Sequence, residues 1–232
     1  MNYRDFLQKV IYVLINPIIN GMVKIGITPN IVTLIGFIGN IVAACFFIDA
    51  AWSLGLDGVS SDPAIAADSM SDISYADCMT KIGWGGFIIL ASGLFDMMDG
   101  RLARVSGKSS LFGALWDSTL DRYSELVSLF GICLAFILVD DGKWFWMGVV
   151  TFAAMIGSVM VSYVRARAEG LNIECKVGFM QRPERVVVTA VTAMLTGITD
   201  NLWWLAGGML LIAILANITA FWRVIHCYRV MN

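Results

Sequence analysis

The sequence predicts an all-α polytopic membrane protein, with six transmembrane helices and an amphipathic interfacial helix ahead of the first. Three observations lead there. Of the 232 residues, 58% are hydrophobic and only 15% charged, with a mean hydropathy of +0.76; soluble domains run at about 45–50% apolar and about 25% charged. Apolar stretches near the roughly 20 residues that cross a bilayer recur along the chain. The charged residues fall in blocks between those stretches. The formal net charge of −2 selects no partner by itself, and no nucleic-acid partner is expected.

The elements follow in order. Residues 3–23 mix Arg4, Asp5 and Lys9 with Phe6, Val10, Ile11, Val13 and Leu14, the pattern of a helix lying on the membrane surface. A break comes at IGITPN, where Thr28 or Asn30 caps the next helix. Span 1 is expected over 31–52. Residues 53–81 hold Asp57, Asp62, Asp68, Asp72 and Asp77 beside Ser, Gly and Pro63, and read as an acidic loop too charged for lipid. Spans 2 to 6 are expected over 83–104, 110–139, 144–168, 184–199 and 202–224, as one domain over 1–232. Asp140-Asp141-Gly142-Lys143 and Asp200-Asn201 are tight hairpins. Trp144, Trp146, Trp203 and Trp204 sit at outer helix ends and read as interface anchors. The five cysteines form no CxxC pair, so neither a disulfide framework nor a zinc site is expected. The lone His226 reads as a helix-end residue.

The positive-inside rule then orients the chain. With the N-terminus in the cytoplasm, every Lys and Arg except Lys81 and Lys143 falls on the inner side, although Arg122 lies within a helix. Both termini are expected to be cytoplasmic, in a prokaryotic inner or plasma membrane.

Charge inside a membrane helix marks function by default. Spans 2 and 3 read FDMMDGRLARVSGKSSLFGALWDSTLDRYSE. Asp96 and Asp99 are three apart, Asp117 and Asp121 four apart, so each pair shares a helix face. The short turn VSGKSS predicts that the two helices are antiparallel neighbours, which lets four carboxylates meet at one depth just below the inner surface. Such a cluster repels itself unless a cation joins it. Oxygen ligands without His or Cys suit a hard ion, Mg²⁺ or Mn²⁺. The small residues Gly100, Ala103 and Gly113 leave room for a ligand near the backbone, or simply let helices pack closely. Glu125 either joins this polar pocket or pairs with Arg122.

The residues Asp96-x2-Asp99-Gly100-x2-Ala103-Arg104-x8-Gly113-x3-Asp117-x3-Asp121 resemble the signature of the CDP-alcohol phosphotransferase (phosphatidyltransferase) family. Thr28-Pro29-Asn30-x2-Thr33 resembles the family's usual lead into its first span, and the six-helix plan agrees; a long loop at 53–81 departs from it. The resemblance implies transfer of a phosphatidyl group from CDP-diacylglycerol to an alcohol, with release of CMP. It implies that Asp96, Asp99 and Asp117 bind metal. Asp121 is then the general base on the acceptor hydroxyl and touches a second metal. Thr33, Gly100, Ala103 and Gly113 are implied around the nucleotide, and Arg104 contacts phosphate or holds the helix pair. A homodimer and surrounding membrane lipids are the implied partners.

Span 4 ends SYVRARAEGL and span 5 begins MQRPER. Arg165, Arg167, Arg182 and Arg185, with Ser162, are expected to converge near the aspartates, and arginine forks suit phosphate oxygens. The alternative is a basic cluster that attracts anionic lipid headgroups. The pattern is similar to prokaryotic synthases whose acceptor is itself phosphorylated, phosphatidylinositol-phosphate synthases foremost, with inositol phosphate as acceptor. Phosphatidylglycerophosphate synthase, using glycerol 3-phosphate, is the alternative within the family. A divalent-cation transporter is the alternative outside it, motivated by the same carboxylates, but transport wants acids near the midplane and a path to both sides.

Overall fold

The computed structural model describes residues 15–57 and 72–232, and among these the regular structure is entirely helical. Residues 15–25 form a helix ending at Gly26, whose φ of +83° suits glycine. Six longer helices follow: α1 (Pro29–Asp57), α2 (Asp72–Val105), α3 (Leu111–Leu138), α4 (Phe145–Glu169), α5 (Arg182–Thr199) and α6 (Trp203–Met231). Local chemistry sets their ends. The Ser110 hydroxyl caps α3 by accepting from the Gly113 N–H at 2.9 Å. Pro183 sits in the first turn of α5, and α5 stops where Asp200 turns left-handed at φ 50°.

Four helices, α1, α2, α4 and α6, are long and apolar enough to cross a membrane. α3 and α5 fall short on composition. α3 carries Asp117, Asp121, Arg122 and Glu125, and α5 opens with Arg182, Glu184 and Arg185.

The main helix contacts close a ring: α1 on α2, α2 on α5, α5 on α6, α6 on α4, α4 on α3, and α3 back on α1. Phe47, Met79, Ile82, Phe136, Ala193, Met209 and Ile212 fill its interior without exposure. Small residues let the backbones approach. A Cβ at Gly86 would lie 2.7 Å from the Ala190 carbonyl oxygen and from Ala193 Cβ on α5. One at Gly131 would lie 2.8 Å from the Ala44 Cα on α1.

Several expectations need correction. The loop expected over 53–81 is trimmed at both ends, because α1 runs on to Asp57 and α2 already begins at Asp72; residues 58–71 lie outside the described residues. Lys81 gives the reason. Its Nζ is 3.0 Å from Asp49 on α1 and 3.4 Å from Asp77 one turn earlier, which ties the polar helix ends together. Residues 3–14 of the expected surface helix also lie outside the described residues. In its remainder, Ile15 and Ile19 are buried against Val32, Met98 and Leu102, while Ile18 and Ile25 are exposed. α6 continues to Met231, past its expected end at 224. Trp144 is no interface anchor: it is buried, its ring 4.8 Å from Trp203 and 6.0 Å from Phe136.

The tight α2–α5 joint makes Gly86→Val a stringent test. It should destabilise the fold by about 1–3 kcal/mol through overpacking and lower the melting temperature in detergent by roughly 3–10 °C. Gly207→Ala, where a Cβ would meet nothing within 4 Å, should leave that temperature unchanged or raise it.

Candidate active site

The site grows from the turn between α2 and α3. Gly107 (φ +66°) reverses the chain, and the Lys108 N–H donates to the Ala103 carbonyl at 3.1 Å. The two helices were expected to run alongside each other. They diverge instead, and each lies along α1. The aspartates of the two helices still come together, since Asp96 and Asp121 share one Arg182 nitrogen, which offsets their like charge.

The divergence decides what each carboxylate meets. Asp99 is buried, and its Oδ2 accepts from the Thr33 hydroxyl of α1 at 2.5 Å. Asp96 leans on α1 as well: a Cβ at Gly36 would lie 3.2 Å from its Oδ1. Asp96 Oδ2 accepts a 2.6 Å hydrogen bond from Arg182 Nη2, and the same nitrogen lies 2.8 Å from Asp121 Oδ1. Arg122 stands 3.5 Å from the other oxygen of Asp121. Among the described residues, no three carboxylate, His or Cys groups converge on one ion-sized point. The donor set nevertheless fits a hard divalent cation. It is all oxygen, it gathers four carboxylates at one end of the bundle, and two of its members already share a single cationic nitrogen.

Two cavities flank the carboxylates. All five residues expected around a nucleotide, Thr33, Gly100, Ala103, Arg104 and Gly113, line the first, with Asp99 and Asp117 in its wall. A Cβ at Gly100 would meet nothing within 4 Å, so this glycine opens onto the cavity. The second, of about 550 Å³, is lined by Asp121, Ser118, Ser162, Arg165, Gln181 and Arg182, among others. Asp121 thus faces the second cavity, and Asp99 and Asp117 face the first.

The arginine cluster is more divided than expected. Arg165, Arg182 and Arg185 line the second cavity, whereas Arg167 is exposed and does not. Two residues along a helix turn the side chain about 200°, so Arg165 and Arg167 point apart. Arg165 also pairs with Glu169 one turn on, at 2.9 Å. Arg185 is only 2% exposed. Its Nε and Nη2 fork onto Glu125 at 2.5 and 2.9 Å, and its Nη1 donates to the Met180 carbonyl at 2.9 Å. Glu125 thus pairs with Arg185. Arg223 was read only as an inner-side charge, yet it is buried and donates to the Val161 and Val177 carbonyls at 2.6 and 2.8 Å. Its signal was a charge within the apolar run FWRVI. Gly36 and Asn40 were also missed. The Asn40 Oδ1 accepts from Ser128 at 2.9 Å beneath the site, and their signal was a small-and-polar stripe, Gly36, Gly39 and Asn40, on an apolar helix.

This geometry has known counterparts. A family model described as CDP-alcohol phosphatidyltransferase matches residues 26–222. The chain therefore belongs to the CDP-alcohol phosphatidyltransferase family. An archaetidylinositol phosphate synthase of Pyrococcus horikoshii is 34% identical over 88% of this chain and 85% of its own length. A phosphatidylinositol phosphate synthase of Mycobacteroides abscessus is 28% identical over 92% of this chain and 83% of its own. Among solved structures, the Mycobacterium tuberculosis phosphatidylinositol phosphate synthase with CDP-DAG bound is similar at a TM-score of 0.71. It is 26% identical, over 91% of this chain and 92% of that one. The same enzyme in complex with manganese and citrate gives 0.69 at 27% identity.

The Glu125–Arg185 fork should be the most sensitive contact near the site. Glu125→Ala leaves a buried guanidinium without its partner and should cost about 3–5 kcal/mol. The double substitution Glu125→Met with Arg185→Leu should recover much of that. Chemical or thermal unfolding of the purified variants checks both.

Proposed function

We propose that this chain transfers the phosphatidyl group of a CDP-linked lipid to inositol phosphate, yielding phosphatidylinositol phosphate and CMP. The observation that carries this reading is the pair of cavities meeting at the carboxylates. One is lined by the residues expected around a nucleotide, and the other by arginines. The curated relatives and the solved neighbour support the choice of acceptor.

The residues then divide the work. Thr33, Gly100, Ala103, Arg104 and Gly113 seat the cytidine diphosphate. Arg165 and Arg182 receive the acceptor's phosphate as charge-assisted hydrogen-bond donors. Ser118, Ser162 and Gln181 line the same cavity with neutral groups suited to polyol hydroxyls. Asp121 takes the proton of the attacking hydroxyl as its oxygen bonds to the lipid-bearing phosphorus and the pyrophosphate link to CMP breaks. Asp96, Asp99, Asp117 and Asp121 would hold the divalent cation, Mg²⁺ or Mn²⁺. When bound, it neutralises charge on the phosphates and the leaving CMP. Arg185, held by Glu125, forms the deep part of the second cavity's lining and adds its charge there, and Arg167 is left for headgroups of the surrounding lipids.

In the membrane we infer six spans, α3 and α5 included, with the helix read over 3–23 lying at the surface. The basic end faces the cytoplasm, so the site and both termini do too. The single domain covers 1–232, and the family resemblance supports a homodimer. Glycerol 3-phosphate as acceptor would need the same arginines, but the relatives favour inositol phosphate. The archaeal relatives favour a second reading for the donor's tails, CDP-archaeol in place of CDP-diacylglycerol. The transporter reading gives no account of the two cavities.

Purified protein in nanodiscs, given Mg²⁺, labelled inositol phosphate and either CDP-lipid, should release CMP and form labelled lipid. Failure with every phosphorylated alcohol tried would overturn the proposal. Asp121→Asn should lower kcat about 10²–10⁴-fold while nucleotide binding persists. Arg165→Gln should raise the acceptor KM roughly tenfold or more with less effect on the CDP-lipid.

A further inference from the structure

Arg182 occupies an unusual place. It is the first residue of α5, yet its guanidinium reaches across to α2 and α3 and stands between Asp96 and Asp121, touching both through one nitrogen. Its Nε is buried without a hydrogen-bond partner, so half of the fork is unused. The side chain also lines the second cavity.

The backbone beneath it is fixed. Gly178 (φ +115°) packs on Thr219, the Met180 N–H donates to the Thr219 hydroxyl at 3.4 Å, and the Met180 carbonyl is held by Arg185. Pro183 stiffens the next step. What can move is the side chain. A guanidinium and a dication cannot both take the oxygens facing each other on Asp96 and Asp121, because the cations repel and the lone pairs there are few.

We propose that Arg182 is an exchangeable occupant of the cation site: a divalent ion displaces it from Asp96 and Asp121 into the second cavity, where the freed fork meets an anionic acceptor. The inference rests on the metal assignment made under the proposed function, and adds that metal and acceptor are coupled through this one side chain. Linkage makes the coupling reciprocal, so each ligand tightens the other. Arg182 is then a positioning residue as well as a contact, since a site without metal offers the acceptor a fork turned the wrong way.

The experiment uses the whole purified chain in detergent, with no lipid substrate. Mn²⁺ binding is read by electron paramagnetic resonance in the wild type, Arg182→Gln, Arg182→Lys and Asp96→Asn. Removing the competitor should tighten Mn²⁺ binding by Arg182→Gln about tenfold, the scale of one charge-assisted hydrogen bond. Arg182→Lys, which keeps the charge, should stay near the wild type. A Gln variant that folds and binds Mn²⁺ no more tightly overturns the exchange. A wild type that binds no Mn²⁺, or binds it unchanged in Asp96→Asn, overturns the metal assignment and the exchange with it. Should Arg182→Gln fail to fold, the wild type answers alone. Arginine-selective dicarbonyl labelling with peptide mapping should show Arg182 several-fold more reactive once Mn²⁺ is added, with Arg185 still protected. Unchanged Arg182 reactivity on saturation with Mn²⁺ overturns the proposal.

Discussion

An ionised side chain withdrawn from water must find a counter-charge or hydrogen-bond acceptors inside the protein, and one end of this bundle is organised by that requirement. Arg185 satisfies it with a two-pronged grip on Glu125 and a third bond to the Met180 carbonyl. Arg223 satisfies it without any acid, on the carbonyls of Val161 and Val177. These contacts join α5 to α3 and α6 to both α4 and the segment after it. The start of α5, and with it Arg182, is held at a set distance from the aspartates. The ion pairs act here less as a source of stability than as a registry device, since each exists only if the helices stand in one arrangement.

The ring of helices is the complementary constraint. Gly86 and Gly131 bring backbones into contact, and Phe47, Phe136 and Met209 fill the interior. Near the α2–α3 turn the ring is deliberately unfilled. α1 takes both neighbours on its own surface, so the space between α2 and α3 is left for ligands, and the carboxylates line a divide between two cavities instead of a packed seam.

Much of this was legible in the residues. The spacing of Asp96 and Asp99, and of Asp117 and Asp121, placed each pair on one face, and the five residues expected around a nucleotide do line one cavity. What escaped were relations between distant segments. The turn VSGKSS argued for adjacent helices, but it fixes only their ends; the glycine-bearing surface of α1 decided where they lie. The partner of Glu125 is 60 residues away on α5, so local spacing offered only the polar pocket or Arg122. The four arginines looked equivalent as a string, and only the helix's rotation separated Arg165 from Arg167. The extension of α2 back to Asp72 depended on Asp49, a residue of another helix.

Gly100 differs from the glycines at the helix joints. Those are bounded by backbone or side chains of the neighbouring helix, so folding itself selects them. At Gly100 no neighbour constrains the missing side chain, and only the cavity's contents can. The position is therefore a point where ligand recognition can be re-engineered independently of assembly. If the cavity seats the nucleotide as proposed, a protrusion installed there would reshape it against that nucleotide. A nucleotide analogue carrying the matching notch would then address this one protein among its relatives in a living cell.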